Sequence, residues 1–219
     1  MKDYKCVIFD LDGTLMDTSI GVLKSARYTI EQMNFEKLTG EELRTFIGPP
    51  IQNSFKKTYN LDEEATNKAA SIFRNAYKEK FLYDAEVYPG MIEVLSYLRE
   101  NNILTMIATY KREDYTLMLL EHFGLDKYFD FIKGSDMEGK LTKTDIVNMC
   151  IKESGQYKNN IVLIGDTDHD ANGAEKAEID FMAVTYGFGY KKHDKVENAV
   201  SMCNTVKDLK KNLMISMSV

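Results

Sequence analysis

The sequence of 219 residues has no long hydrophobic run, no surplus of basic residues, and only three cysteines and three histidines. No apolar stretch approaches the roughly 20 residues that cross a bilayer, so we expect no membrane partner. Residues 1–5 lack the layout of a signal peptide, which predicts a cytoplasmic protein. The hydrophobic fraction of 44% is high enough to build a core, which argues against a disordered chain.

The charge balance and the few possible zinc ligands exclude two further classes of protein. The formal net charge is −6, whereas a protein that binds duplex nucleic acid usually presents a basic face to the phosphates, so nucleic acid is not an expected partner. Cys6, Cys150 and Cys203 lie far apart and match neither a disulfide framework nor a CxxC metal spacing. The scattered histidines do not suggest a zinc site either.

Short apolar runs separated by helical patterns predict the fold class. The runs are typical of strands that are buried on both faces of a parallel sheet. They cover residues 5–9, 103–108, 129–133, 161–164 and 181–185. Because strand alternates with helix, we predict an α/β protein whose core is a doubly wound parallel sheet of the Rossmann-like kind.

One long segment breaks this alternation. Residues 17–84 show helical periodicity and no strand signal, and Thr39 with Glu42 has the spacing of a capping box at the start of a helix. We therefore predict an all-helical cap domain at residues 17–84. It is inserted into an α/β core formed by residues 1–16 and 85–219.

Polar residues follow the predicted strands at the points where the strands end. Ligands of open α/β sheets bind beyond the carboxyl ends of the strands, so these side chains are expected to meet at one edge. They are Asp10, Asp12, Thr109, Asp166 and Asp170, joined by Lys143 at the start of a predicted helix.

The carboxylates in this group indicate a bound cation. Asp10 and Asp12 occupy alternate positions of an extended segment and so face the same side, while Asp166 and Asp170 are one helical turn apart. Two carboxylates 4 Å apart repel each other by about 4 kcal/mol at an effective dielectric of 20. A hard divalent cation with oxygen ligands, Mg²⁺ by preference, relieves this repulsion, and Lys143 offsets part of it.

These residues carry a resemblance to the haloacid dehalogenase-like hydrolase superfamily. Residues 7–15, Val-Ile-Phe-Asp-Leu-Asp-Gly-Thr-Leu, resemble its first motif. Thr109, Lys143 and residues 165–170 resemble its second, third and fourth motifs. The predicted helical insert resembles its α-helical cap, and residues 47–50 resemble a cap loop of the phosphoglycolate phosphatase-like branch.

The resemblance implies a Mg²⁺-dependent phosphatase that hydrolyses small phosphomonoesters, such as phosphoglycolate or a nucleoside monophosphate, through an aspartyl-phosphate. Asp10 would be the nucleophile. Asp12 would protonate the leaving oxygen and then accept a proton from water. Thr109 would bond to a phosphoryl oxygen, and Lys143 would neutralise charge on the nucleophile and phosphate.

The resemblance also implies a metal site and a set of substrate contacts. Mg²⁺ would be held by the Asp10 carboxylate, the Asp12 backbone carbonyl and Asp166, with Asp170 close by, either through water or paired to Lys143. The residues predicted to contact the substrate are Leu11, Gly13, Thr14, Tyr110, Lys111, Gly48 and Gln52.

Two alternative functions use similar residues. A phosphosugar mutase of the β-phosphoglucomutase type would use the same aspartyl-phosphate, but it tends to hold a second phosphate with a cap-loop arginine, and residues 48–52 contain none. A receiver-like signalling domain also accepts phosphate on an aspartate. Such a domain is smaller, lacks a helical insert and places its acceptor after a middle strand.

Overall fold

The computed structural model describes residues 2–137 and 140–216. The chain forms two units, Met1–Asp17 with Val87–Val219, and Thr18–Glu86. The second unit begins one residue after the predicted start at 17 and ends two residues after the predicted end at 84. The predicted core also includes residues 1, 138–139 and 217–219, which lie outside the described residues.

The first unit is built on a parallel sheet. In chain order the strands among the described residues are β1 Cys6–Phe9, β2 Met16–Asp17, β3 Glu86–Val87, β4 Leu104–Arg112, β5 Phe131–Ser135, β6 Ile161–Gly165, β7 Asp180–Val184 and β8 Ala199–Cys203. Six of them form one sheet in the order β5-β4-β1-β6-β7-β8, and all its pairs are parallel. Strands β2 and β3 form a separate two-stranded sheet. The predicted doubly wound α/β fold is thereby confirmed, with β8 as an additional strand.

Helices cover the sheet. They are α5 Met91–Glu100, α6 Glu113–His122, α7 Lys143–Ser154, α8 Asp168–Ala177 and α9 Val206–Ser216, with short 3₁₀ turns at Asp126–Tyr128 and Lys158–Asn160. Ile8 and Leu163 of the central strands are fully buried and pack in one cluster with Val147 of α7 and Ala174 of α8. Burying such an aliphatic side chain stabilises the fold by about 1.5–3 kcal/mol. This packing fixes the central strands whose ends carry the polar residues.

The second unit is helical. It contains α1 Ser19–Gln32, α2 Gly40–Arg44, α3 Ile51–Tyr59 and α4 Glu63–Ala76, followed by a π-helical turn at Tyr77–Phe81. The structure describes every residue between 18 and 85, and this stretch contains no strand. Helix α2 begins with the predicted capping box, since the Glu42 N–H donates to Thr39 Oγ1 at 3.3 Å and the Thr39 N–H donates to Glu42 Oε2 at 2.8 Å. Phe55 packs between Phe46 and Phe73, with ring centroids 4.9 and 6.3 Å apart, and so provides a core for the unit.

Among the described residues, no helix combines the length and the hydrophobicity that are needed to cross a membrane.

Candidate active site

The loop after β1 holds the first pair of acids in a tight turn. The Asp10 N–H donates to the Ile164 carbonyl at 2.9 Å and so continues the hydrogen bonding of β1 with β6. The Leu11 carbonyl then accepts the Leu15 N–H at 2.9 Å, which reverses the chain direction. Gly13 has φ +80°, a left-handed conformation that glycine adopts without strain, and a Cβ there would overlap the carboxylate of Asp166. The turn therefore requires glycine at position 13.

Asp166 and Asp170 lie beyond the end of β6, each with one oxygen already bonded. Oδ2 of Asp166 accepts the N–H groups of Phe188 at 2.7 Å and Gly189 at 3.1 Å. Oδ2 of Asp170 accepts the hydroxyl of Thr167 at 2.7 Å and its N–H at 3.1 Å, which fixes the first turn of α8. Both carboxylates are fully buried, so these bonds set the direction in which their other oxygens point.

Lys143, the first residue of α7, is paired with acids from both segments, Asp10 after β1 and Asp170 after β6. Its Nζ lies 2.7 Å from Oδ1 of Asp10 and 2.5 Å from Oδ1 of Asp170, and its side chain is only 4% exposed. Burial acts to lower the pKa of Lys143, but the two carboxylates outweigh burial and raise that pKa above its usual value. Lys143 therefore stays charged beside the acids. Gly173 of α8 has no side chain at the point where the aliphatic part of Lys143 passes.

Asp10, Asp166 and Asp170 form a group suited to a hard divalent cation. Each offers a carboxylate oxygen, and these oxygens lie within 4.8 Å of one another. Oδ1 of Asp166 is buried and has no hydrogen-bond partner among the described residues. Lys143 supplies one positive charge against three carboxylates, which leaves negative charge uncompensated. The all-oxygen donor set and the orphaned oxygen fit Mg²⁺.

The carboxylates of this group have raised pKa values. Burial raises the pKa of Asp10 to about 7, with Asp170 and Asp166 adding to the rise against the attraction of Lys143. Burial, together with the charge of Asp170, raises the pKa of Asp166 to about 7 as well. Without a cation, the folded protein therefore resists ionisation of these groups.

The stability of the metal-free protein is accordingly expected to fall as the pH rises from 5 to 8. A carboxyl with a folded-state pKa near 7 and an unfolded value near 3.8 binds its proton more tightly in the folded state, so stability is lost progressively as the pH rises from 3.8 to 7 and levels off above 7. Thermal denaturation in chelator at several pH values measures the effect, and added Mg²⁺ should raise the melting temperature more at pH 8 than at pH 5.

Acids with lowered pKa values do not disturb this measurement. Glu42, Asp145 and Glu178 have pKa values below their ordinary 4.5 or 3.8, because hydrogen bonds favour their charged forms, and so they titrate below pH 5. A melting temperature in chelator that rises between pH 5 and pH 8 would contradict the raised pKa values of Asp10 and Asp166.

Strand β4 continues through Thr109, Tyr110 and Lys111, and these three residues form a bulge. Ala108 pairs with Lys133 of β5, but Arg112 pairs with Ser135, so three residues of β4 lie opposite one residue of β5. Bulges of this kind redirect side chains beside active sites. Gly134, the residue opposite, leaves room, because a Cβ there would lie 2.6 Å from the Lys111 carbonyl oxygen.

The bulge lets neighbouring side chains reach different partners. The Tyr110 hydroxyl accepts the backbone N–H of Lys143 at 2.9 Å. Lys111 Nζ donates to both carboxylate oxygens of Asp12, at 2.9 and 3.0 Å. Thr109 is buried, and its hydroxyl accepts the Lys111 N–H at 3.2 Å. The predicted strand ends at residue 108, so the bulge was missed, and Gly134 was the available signal for it.

The remaining predicted residues fall into two groups. Leu11 and Thr14 lie buried in the turn after β1, where the Thr14 carbonyl accepts the Tyr186 hydroxyl at 3.1 Å. Gly48 and Gln52 belong to the helical unit, with Gly48 in a turn at φ +100° and Gln52 in the first turn of α3. Their contact with a substrate stays a prediction.

Two further features of the site were missed in the sequence. The use of the Phe188 and Gly189 amides to hold Asp166 was not foreseen. The Tyr190 hydroxyl donates to Oδ1 of Asp168 at 2.8 Å, and the Tyr190 N–H donates to the Asp166 carbonyl at 2.8 Å. Every residue except proline has a backbone N–H group, so no sequence motif identifies the ones that bond to Asp166.

The chain is similar to known proteins over most of its length. The family model of haloacid dehalogenase-like hydrolases matches residues 7–184. A 5′-nucleotidase of Pseudomonas aeruginosa is 30% identical over 187 residues, which cover 85% of each chain. A phosphoglycolate phosphatase of Nitrosospira multiformis is 29% identical over 192 residues, which cover 84% of each chain. The crystal structure of a predicted phosphatase from Clostridium acetobutylicum has a TM-score of 0.89 and 35% identity, covering 98% of this chain and 100% of that one.

The chain belongs to the haloacid dehalogenase-like hydrolase family. It is a phosphatase of that family, similar to its phosphoglycolate phosphatase-like members, and the resemblance drawn from the motifs is confirmed.

Proposed function

We propose that this phosphatase hydrolyses phosphomonoesters of small metabolites by passing the phosphoryl group to Asp10 and then to water. The observation that carries the proposal is the meeting of Asp10, Asp166 and Asp170 within 4.8 Å, with Lys143 bonded to Asp10 and Asp170. A nucleophilic carboxylate needs cations beside it, because the phosphoryl group that it attacks is itself negatively charged.

In the first step an oxygen of Asp10 forms a bond to phosphorus while the bond from phosphorus to the ester oxygen breaks. Asp12 gives its proton to that departing oxygen, so an alcohol leaves. In the second step a water molecule gives a proton to Asp12 and attacks phosphorus, which releases phosphate and restores Asp10. Throughout, Lys143 offsets charge on the nucleophile, and Thr109 bonds to a phosphoryl oxygen.

We propose Mg²⁺ as the cofactor, with Asp10, Asp166 and the Asp12 backbone carbonyl as its ligands and Asp170 beside them. When bound, the ion supplies positive charge that draws electron density from the phosphoryl oxygens. Oδ1 of Asp166 is buried and has no hydrogen-bond partner in the part of the chain that the structure describes, which supports this assignment, since such an oxygen is costly without a partner. Glycine at position 13 supports it too, because a larger residue would displace Asp166.

The substrate is proposed to be phosphoglycolate, a nucleoside monophosphate or a similar small ester. The names of the relatives from Nitrosospira multiformis and Pseudomonas aeruginosa support these two candidates. We further propose that residues 17–84 act as a cap that selects the substrate through Gly48 and Gln52, with Leu11, Gly13, Thr14 and Tyr110 as core contacts. We place the reaction in the cytoplasm, whose reducing conditions suit three buried free thiols.

A screen of metabolite phosphates in the presence of Mg²⁺, scored by phosphate release, tests the proposed substrate class. Release from one or more small monoesters is expected. The panel should include sugar bisphosphates and hexose phosphates, because isomerisation of a sugar phosphate without net phosphate release would establish the mutase alternative instead. The absence of an arginine from residues 48–52 favours hydrolysis.

Asp12→Ala is expected to slow the hydrolysis of alkyl phosphates by about 10²–10⁴-fold, the usual contribution of a general acid. The loss on p-nitrophenyl phosphate should be much smaller, because a good leaving group needs little protonation. Steady-state kinetics on both esters measures the difference. Equal losses on the two substrates would show that Asp12 is not the acid.

A further inference from the structure

The contact between Lys111 and Asp12 lies outside the roles assigned so far. Nζ of Lys111 donates to both carboxylate oxygens of Asp12, at 2.9 and 3.0 Å, although the two residues are 99 positions apart in the chain. The Lys111 side chain is 6% exposed, whereas the Asp12 side chain is 28% exposed. The ammonium is thus enclosed by protein, while the carboxylate that it holds keeps an open side.

We infer that Lys111 is a positioning residue that fixes the orientation of the Asp12 carboxylate for both proton transfers. This inference rests on the proposed function, in which Asp12 is the general acid and then the general base. It differs from the role in direct substrate binding that the sequence suggested for Lys111.

The geometry of the pair supports this role. Rotation of an aspartate carboxylate about its last bond is loosely restrained, and a single donor that bonds to both oxygens removes that freedom. Each carboxylate oxygen can take part in two hydrogen bonds, so bonding to Lys111 does not by itself prevent Asp12 from donating a proton to the leaving oxygen or accepting one from a water. The open side of Asp12 gives them access. The proton-transfer group is therefore held without being blocked.

The burial of Lys111 explains why the contact persists. An ammonium taken out of water is costly unless a carboxylate is paired with it, so the enclosed Nζ is held at Asp12. The bulge in β4 brings residue 111 to this position, and Gly134 keeps the opposite strand clear of the Lys111 carbonyl. The position of Lys111 is thus fixed by the hydrogen-bonded sheet. A residue that orients another side chain needs such a fixed position.

Lys111→Met tests the inference, because methionine keeps most of the length of the side chain and removes the charge. Steady-state kinetics would compare phenyl phosphate with p-nitrophenyl phosphate, two esters of similar shape whose leaving groups differ in their need for a proton. We expect kcat to fall about tenfold or more on phenyl phosphate and about threefold or less on p-nitrophenyl phosphate, with KM little changed. Lys111→Arg should recover most of the rate, since a guanidinium also pairs with both oxygens.

A double variant separates positioning from other roles. In an Asp12→Asn background, Lys111→Met should cause no further loss on phenyl phosphate, because the group that Lys111 positions no longer transfers protons. Lys158→Met is the matched control, since Lys158 forms an exposed ion pair with Glu178 at 2.7 Å in the same unit and should leave both rates unchanged.

Several results would overturn the inference. Equal losses on the two esters, a rise in KM with kcat unchanged, or a further loss in the Asp12→Asn background would show that Lys111 acts on the substrate. If thermal denaturation shows that Lys111→Met does not fold, Lys111→Gln and Lys111→Arg carry the same comparison of the two esters. Absence of hydrolysis of either ester by the wild-type enzyme would overturn the proposed function itself.

Discussion

Replacement of Asp10 by asparagine is expected to abolish phosphate release, lowering kcat by at least about 10⁴-fold. Asparagine has nearly the same shape as aspartate, but its amide is no nucleophile toward phosphorus, so the covalent step cannot begin. Phosphate release from p-nitrophenyl phosphate measures the loss. A variant that hydrolyses this ester at the normal rate would show that Asp10 is not the nucleophile.

The loss is expected without damage to the fold. Burial and the neighbouring carboxylates raise the pKa of Asp10, so its negative charge opposes folding and its removal relieves repulsion. Lys143 keeps its second partner, Asp170, and stays paired. The melting temperature of Asp10→Asn in chelator should therefore equal or exceed that of the wild type at pH 8. Asp180→Asn is the matched control. Asp180, the first residue of β7, accepts hydrogen bonds from Lys2 and Tyr4, so its replacement should leave kcat unchanged.

Removal of divalent cations is the second change with a large expected effect. Chelation should lower the rate by about 10³-fold, and Mg²⁺ added in excess should restore it, because a bound cation contributes several kcal/mol to the stabilisation of charge in the transition state. The same phosphate-release assay follows both steps. An enzyme that keeps its full rate in chelator, or fails to recover with Mg²⁺, would contradict the proposed cofactor.

A pair of neighbouring acids localises the effect of the metal. Asp166→Asn should raise the Mg²⁺ concentration needed for half-maximal activity, because it removes charge from the buried group of three carboxylates. Asp168→Asn should leave that concentration unchanged, since Asp168 is exposed and bonds to the Tyr190 hydroxyl. Equal shifts for the two variants would show that Asp166 is not a metal ligand.

The agreement between predicted and observed strands varies along the chain. The predicted strands at residues 5–9 and 161–164 correspond to β1 and β6, because fully buried strands leave continuous apolar runs. Strand β8 was missed, since Val200 is half exposed on an edge strand and Ala199–Cys203 carries no such run. The pairing of β7 with β8 shifts register between Phe181 and Met182, and no pattern of neighbouring residues in the sequence reveals this irregularity.

The candidate site also has features that the sequence predicted and features that it did not. That Asp10, Asp166 and Lys143 approach one another follows from their places at strand and helix ends, since parallel strands bring their carboxyl ends to one edge. Their roles in catalysis stay predictions. The pairing of Lys111 with Asp12 could not be foreseen, because it depends on a bulge that changes which way consecutive side chains point.

The sequence alone determined the α/β class, the helical insert and the set of acids. Buried strands, capping boxes and short motifs can be read from it because each depends on residues that are close together in the chain. Only the tertiary structure decided which oxygens remain free and which are already bonded. The Phe188 and Gly189 amides occupy one oxygen of Asp166 and leave the other without a partner among the described residues. Such bonds join segments distant in the chain, so they exist only after packing has brought the loops together.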